Sequence, residues 1–216
     1  MARVVKKPDV RREEIIIAAR ELFQTKGYEK TTMQDLIEKL SIAKGTIYHY
    51  FSSKKELLEA VVENMVDEEL RKKSELMKSD RVKNLPAIEK LRILIAESVA
   101  EPENERILNT LHHPENREMH TKQLALYIIK LAPLWAAVFA EGNVEGVFTV
   151  TYPLETAEFI LAGVQFLTDL GFYTWSASQL ERRMKALPKL LESQLGAPAG
   201  LFAFLAERQS RDADYS

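Results

Sequence analysis

The chain contains no cysteine. That excludes a disulfide scaffold, a thiolate metal site and a thiol nucleophile. Histidine is scarce too, with four in 216 residues, so little imidazole is at hand for acid–base work. Glycine and proline number eight each, too few for a fibrous or low-complexity chain. No Gly-rich phosphate loop, GxSxG elbow or HExxH pair occurs, so neither catalysis nor a cofactor is expected. No stretch reads as 18 apolar residues, and the charged start MARVVKKPDVRREE lacks the apolar run of a signal peptide. The expectation is a cytoplasmic protein with no membrane span.

What is present is an ordinary globular composition, 46% hydrophobic and 29% charged. The net charge of −2 hides a split. Residues 1–55 carry 12 Lys and Arg against 7 Asp and Glu, a net +5, and the rest of the chain is −7. A basic head on an acidic body suggests a module that faces nucleic acid.

Helical periodicity dominates, and the predicted fold is all-α. Ile15, Ile16, Ala18, Ala19, Leu22 and Phe23 predict a helix over roughly 10–26, closed by Gly27. Thr31 or Thr32 can cap a short second helix, with Gln34 and Asp35 completing a capping box. A third short helix, roughly 43–50, buries Ile47 and Phe51, and Ser53 with Glu56 predicts the cap of a long fourth helix. Pro86, Pro102 and Pro153 open later helices, and Pro133 should kink the long run over 115–140. The segment EGNVEGVFTVTY reads as a loop, residues 178–195 as a final amphipathic helix, and QSRDADYS as a disordered end.

Two short helices across a tight break, braced by a longer one, are the layout of a helix-turn-helix. The outward positions of the third helix carry Lys44, Thr46, Tyr48, His49 and Tyr50. Two outward tyrosines on so short a helix suit a face that meets DNA: hydroxyl and ammonium groups on phosphates, a Thr methyl on thymine, imidazole on a purine edge. Gly45 removes a side chain where the helix must approach the groove. Thr31 and Thr32 at one helix start, and Lys54 and Lys55 at another, could hold phosphates. The arm with Arg3, Lys6, Lys7, Arg11 and Arg12 could add backbone or minor-groove contacts.

The stretch TTMQDLIEKLSIAKGTIYHYFSSKKELLEAVV resembles the N-terminal domain of TetR-type transcriptional regulators. The stretches LHHPENREMH and YPLETAEFILAGVQFL resemble, more loosely, the ligand-binding half of that family. The resemblance implies a helix-turn-helix domain followed by a helical effector-binding and dimerisation bundle. It places Thr32, Lys44, Gly45, Thr46, Tyr48, His49, Tyr50 and Lys54 on DNA-contacting positions. The chain departs from the pattern at Ser41, where the family often has Gly, and at Ala43, where it often has Ser. The implied organisation is a DNA-binding head over 1–53, a connecting helix over 54–78, an effector and dimer domain over 79–208, and a tail over 209–216.

Residues 153–171 are apolar nearly all round, more than one chain of this size is expected to cover. With 178–195 they are expected to form a two-fold dimer interface through Phe159, Gly163, Phe166, Leu167, Leu187 and Leu191. An effector cavity is expected among Asn109, His113, Gln123, Tyr127, Leu131, Trp135, Phe139 and Phe166. His112, His113 and His120 lie near Glu115 and Glu118 but read as helix-end residues, and no metal site is expected. The expected function is a homodimeric regulator, a repressor released from a palindromic double-stranded DNA operator by a largely apolar small molecule. The alternative is a constitutive DNA-binding protein with a filled core and no effector.

Overall fold

The protein is described by a computed structural model covering residues 7–96, 104–169 and 171–205. Nine α-helices occur among the described residues: α1 (Pro8–Lys26), α2 (Met33–Leu40), α3 (Lys44–Tyr50), α4 (Lys54–Lys78), α5 (Ala87–Ala96), α6 (Glu105–Leu111), α7 (Arg117–Val144), α8 (Pro153–Thr168) and α9 (Ala177–Leu195). No strand occurs among those residues, so the β-branched run near 147–152 remains loop. The expectations for Arg3, Lys6, Pro102 and the C-terminal tail fall outside the described residues.

The chain divides into two compact units. Their boundaries differ from the expected ones. The first takes the described residues up to Glu69 together with 104–123, and the second takes 70–96 and the described residues from Leu124 on. Helix α6 and the start of α7 therefore belong with the head, and α4 is shared rather than a separate connector.

In the first unit, Ile15, Ile16 and Phe23 of α1 pack with Leu36, Ile47, Phe51, Leu57, Leu58 and Val61, and Ile107, Leu111 and Met119 join the same core. Burying each large apolar side chain is worth about 1.5–3 kcal/mol. Polar bonds fix the outer edge of this core. Arg106 donates to the carbonyls of Gln24 (3.1 Å) and Thr25 (2.8 Å), which end α1 and have no partner further along that helix. The Asn104 side-chain oxygen accepts from Gln24 (3.0 Å) and Arg20 (3.3 Å), and Arg20 also pairs with Glu68. None of these pairings has a local sequence signature, which is why α6 read as part of the second half.

The second unit is built around an aromatic series. Trp135 meets Phe139 edge-on at 6.1 Å, Phe139 meets Phe148 edge-on at 6.2 Å, and Phe148 stacks on Phe202 at 6.5 Å. The loop before α8 is held rigidly enough to seat Phe148. Asn143 both donates to the carbonyl and accepts from the N–H of Val150, each at 2.8 Å, and Thr149 N–H donates to Leu195 O. Both carboxylate oxygens of Glu145 accept the Ala87 N–H, at 3.0 and 3.1 Å, capping α5 just after Pro86. Within Pro114–Val144 an 18-residue window is long and apolar enough to cross a membrane by length and composition, a test that the core helix of a globular protein also passes. That helix places Leu131, Ala132, Trp135, Val138 and Phe139 in the core of the second unit.

Candidate nucleic-acid interface

Helix α2 starts on the capping box anticipated from the sequence. Thr32 Oγ1 accepts from Asp35 N–H (3.2 Å), and Asp35 accepts from Thr32 N–H (2.8 Å). The Lys26 ammonium beside Asp35, followed by the Thr32 N–H bond, lowers its carboxyl to about 2. Asp35 thus contributes stability above its ordinary carboxylate range, and that contribution is lost as pH falls through about 2. Thr32 is exposed; its oxygen accepts from Asp35 N–H and its side chain also bonds the Asp35 carboxylate, so a phosphate would have to share it.

Thr31 behaves differently from its neighbour. It is fully buried, and its hydroxyl donates to Gly27 O at 2.7 Å. It is a turn staple and cannot reach a phosphate, so its expected DNA contact is withdrawn. The two threonines are neighbours in the non-helical backbone just before α2, and from the sequence either could have served as the cap.

The turn between α2 and α3 passes through Ser41 at φ 49° and ψ 45°, the left-handed region, where a side chain meets its own backbone. Ser41→Gly is expected to raise stability by about 0.5–1 kcal/mol, strain relief outweighing glycine's added unfolded entropy. Urea denaturation followed by circular dichroism measures this, and a loss of stability would contradict it. Helix α3 then begins at Ala43 without a side-chain cap, as its sequence implied.

Helix α3 turns Ile47 and Phe51 wholly into the core. The opposite side exposes Lys44, Gly45, His49 and Tyr48, the last at 44%. The Lys44 ammonium stands 5.6 Å from the Tyr48 ring, and the His49 and Tyr50 rings meet edge-on at 5.0 Å. Thr46 is half-buried, and Tyr50 is half-buried against the core, which moves it toward the edge of the face. A Cβ on Gly45 would meet nothing within 4 Å, so no neighbour in the chain requires glycine there.

At the start of α4 the Glu56 N–H donates to Ser53 Oγ (3.1 Å). The Glu56 carboxylate reaches Ser52 rather than Ser53, accepting from its hydroxyl and N–H at 2.7 Å each. Those bonds, the hydroxyl's first, lower the Glu56 carboxyl. Lys54 corrects a second expectation. Its ammonium donates to the carbonyls of Tyr28 (3.0 Å) and Glu29 (3.2 Å) and sits 4.3 Å above the Tyr28 ring. It braces the α1–α2 loop, and a phosphate would have to share it with those two carbonyls. Lys55 is exposed. In α1, Arg11 pairs with Glu14 at 2.9 Å and Arg12 lies over Phe51 at 5.3 Å, so neither extends as an arm.

The other candidate residues divide between the units. Asn109 and His113 are exposed and Gln123 is half-buried, all in the first unit. In the second, Leu131, Trp135 and Phe139 are core, Tyr127 borders that core, and Phe166 is largely exposed against Phe172 (5.2 Å). Asn109, His113 and Phe166 are too exposed to line an enclosed pocket, and Leu131, Trp135 and Phe139 are spent on packing.

Helices α8 and α9 bound a groove of about 550 Å³ in the second unit. Phe159, Gly163, Leu167, Leu187 and Leu190 line it, with Phe159 70% and Leu190 57% exposed. Leu191 also lines the groove, largely buried at its base, and Leu190 beside it is the more exposed of the two.

The chain matches the sequence profile described as bacterial regulatory proteins, tetR family, over residues 15–61, and that described as tetracyclin repressor-like, C-terminal domain, over residues 99–190. It is 32% identical over 163 residues to the HTH-type transcriptional regulator YfiR of Bacillus subtilis, covering 71% of this chain and 76% of that one. The chain belongs to the TetR family. A TetR-family regulator from Pectobacterium atrosepticum has the same fold at TM-score 0.60 and 22% identity, covering 89% of this chain and all of that one. RolR in complex with resorcinol also aligns at TM-score 0.60, with 18% identity over 93% of this chain and 94% of its own. As a TetR-family member the protein is a DNA-binding transcriptional regulator.

Proposed function

We propose that this regulator is a homodimeric repressor that reads a palindromic operator through α3 and leaves it when a small, largely apolar molecule binds. The observation that carries the DNA half is the α3 face. Seven residues bury one side completely, yet expose Lys44, Tyr48 and His49 around a glycine that nothing in the chain requires. Lys44 and the Tyr48 hydroxyl suit phosphates, the Thr46 methyl suits thymine, and His49 suits a purine edge. Thr32 and Lys55 supply flanking phosphate donors at two helix starts. Such a regulator works in the cytoplasm, where the DNA is.

Tyr48→Ala is expected to weaken binding to an operator selected from random duplexes by about tenfold with the fold intact. Lys55→Ala should weaken it on all sequences alike and lower the salt slope by about one. Fluorescence anisotropy against salt concentration measures both. Unchanged affinity in both variants would remove this face from the interface.

The effector half is supported by two of the three buried unpartnered polar atoms found among the described residues of the second unit, Trp175 Nε1 being the third. Trp135 Nε1 and Gln165 Oε1 are out of water and have no partner among the described residues. Leaving a buried polar atom unpaired costs about 1–3 kcal/mol. A molecule bearing an acceptor would satisfy the first and one bearing a donor the second, and RolR, of the same fold, is a neighbour whose ligand is resorcinol. Such a molecule releases DNA only if it prefers the state that cannot bind. The close aromatic packing of Trp135, Phe139, Phe148 and Phe202 favours the second reading, a constitutive DNA-binding protein. A thermal-shift screen followed by operator release separates the two.

A further inference from the structure

The corner between α6 and α7 holds three of the four histidines, of which two, His112 and His120, bring their rings together, and the DNA face uses none of the three. His112 follows the last residue of α6, and His120 lies at the first turn of α7. Their ring centroids are 5.0 Å apart with the planes tilted by 46°, and a ring nitrogen of each lies within 4.8 Å of the other. His120 is only 3% exposed, while His112 is open to solvent. The chain between them makes a single 3-10 turn, Pro114–Asn116. Asn116 is buried, its amide donates to Thr110 O at 2.9 Å, and its N–H donates to His113 O at 2.9 Å. These bonds set the corner and so set the approach of the two rings.

We propose that His112 and His120 chelate a divalent transition-metal ion. Two imidazole nitrogens held at about 2.0–2.1 Å by one tetrahedral ion stand roughly 3.4 Å apart. The observed spacing reaches that value by a small rotation of His112, whose exposed side chain has room to turn. Imidazole suits zinc, nickel, cobalt or copper, and a chain without cysteine has no thiolate to compete for the ion. The remaining positions are left to water or to an oxygen of a second molecule. The sequence argued against this because Pro114 separates His113 from His120, but the turn at Pro114 is what returns the chain so that His112 meets His120.

The test uses the untagged full chain, stripped with EDTA and titrated with zinc chloride by calorimetry. One ion per chain is expected. His112→Gln should bind at least roughly tenfold more weakly, since loss of even an outer partner of a ligating histidine has that effect. His113→Gln, at the exposed neighbour, should bind as the wild type does. Zinc should raise the melting temperature of the wild type and of H113Q but not of H112Q. No binding by the wild type, undiminished binding by H112Q, or loss of binding in H113Q overturns the proposal. If H112Q fails to fold, the cobalt(II) spectrum of the wild type decides: intense bands of a low-coordinate ion support the site, and the spectrum of hydrated cobalt overturns it.

Discussion

Replacing Gly163 by glutamate is expected to leave a folded monomer that has lost operator affinity by about 100-fold or more. Gly163 sits in the middle of α8, on the floor of the groove lined by Phe159, Leu167, Leu187 and Leu190. A Cβ there would meet nothing within 4 Å in its own chain. The monomer therefore has room for the side chain, and exchanging glycine for glutamate even favours the helix. In the proposed dimer a second copy seated on the groove would have no such room, and a carboxylate trapped between the two apolar faces would be left without a partner, a cost of several kcal/mol. Loss of dimer contact removes one of two half-site readers, and operator affinity falls with it. Sedimentation equilibrium, circular dichroism and operator anisotropy on the same preparation test this. A Gly163→Glu protein that remains a dimer with native operator affinity would take α8 out of the interface.

Gly142→Ala is expected to cost about 2–3 kcal/mol and to lower the melting temperature by about 5–10 °C. Gly142 lies in α7, where alanine ordinarily helps by about 1 kcal/mol. Here the added methyl would overlap Cδ2, Cε2 and Cγ of Phe148. Phe148 cannot swing away cheaply. Its ring is fully buried between Phe139 and Phe202, and the loop that carries it is tied down by Asn143 and by Thr149. Thermal melting by differential scanning calorimetry gives the answer. A Gly142→Ala variant as stable as the wild type would mean that the loop relaxes more readily than its bonds suggest.

The head was legible because its signals are local. Thr32 and Asp35 stand three residues apart and make the box that their spacing announces. The inward pair Ile47 and Phe51 also follows from spacing alone, since i and i+4 share a helix face. What escaped are relations over long separations. The bonds from Lys54 to the Tyr28 and Glu29 carbonyls, and from Arg106 to the end of α1, join residues whose types give no hint of each other. That Leu190 joins Leu191 at the groove was hidden for another reason. Both are leucines on a helix with hydrophobic residues on adjacent rows, and only the packed core reveals which row faces inward. Phe202 escaped for want of periodicity, since it lies beyond α9 in a turn yet completes the aromatic stack.

The chain has two tryptophans, and the fold sets them in contrasting surroundings. Both indole N–H groups lack a partner among the described residues, but Trp135 is enclosed in the aromatic core of the second unit. Trp175 lies beneath the Arg183 guanidinium, 3.9 Å from its ring, and Arg183 also donates to Leu167 O beside the groove. The protein thus carries its own optical probes, one at the interior where a small molecule would arrive and one at the rim where a second copy would dock. With Trp135 exchanged for phenylalanine, the remaining emission would follow assembly alone. With Trp175 exchanged, it would follow the interior alone, and the two events could be timed separately without attaching a dye.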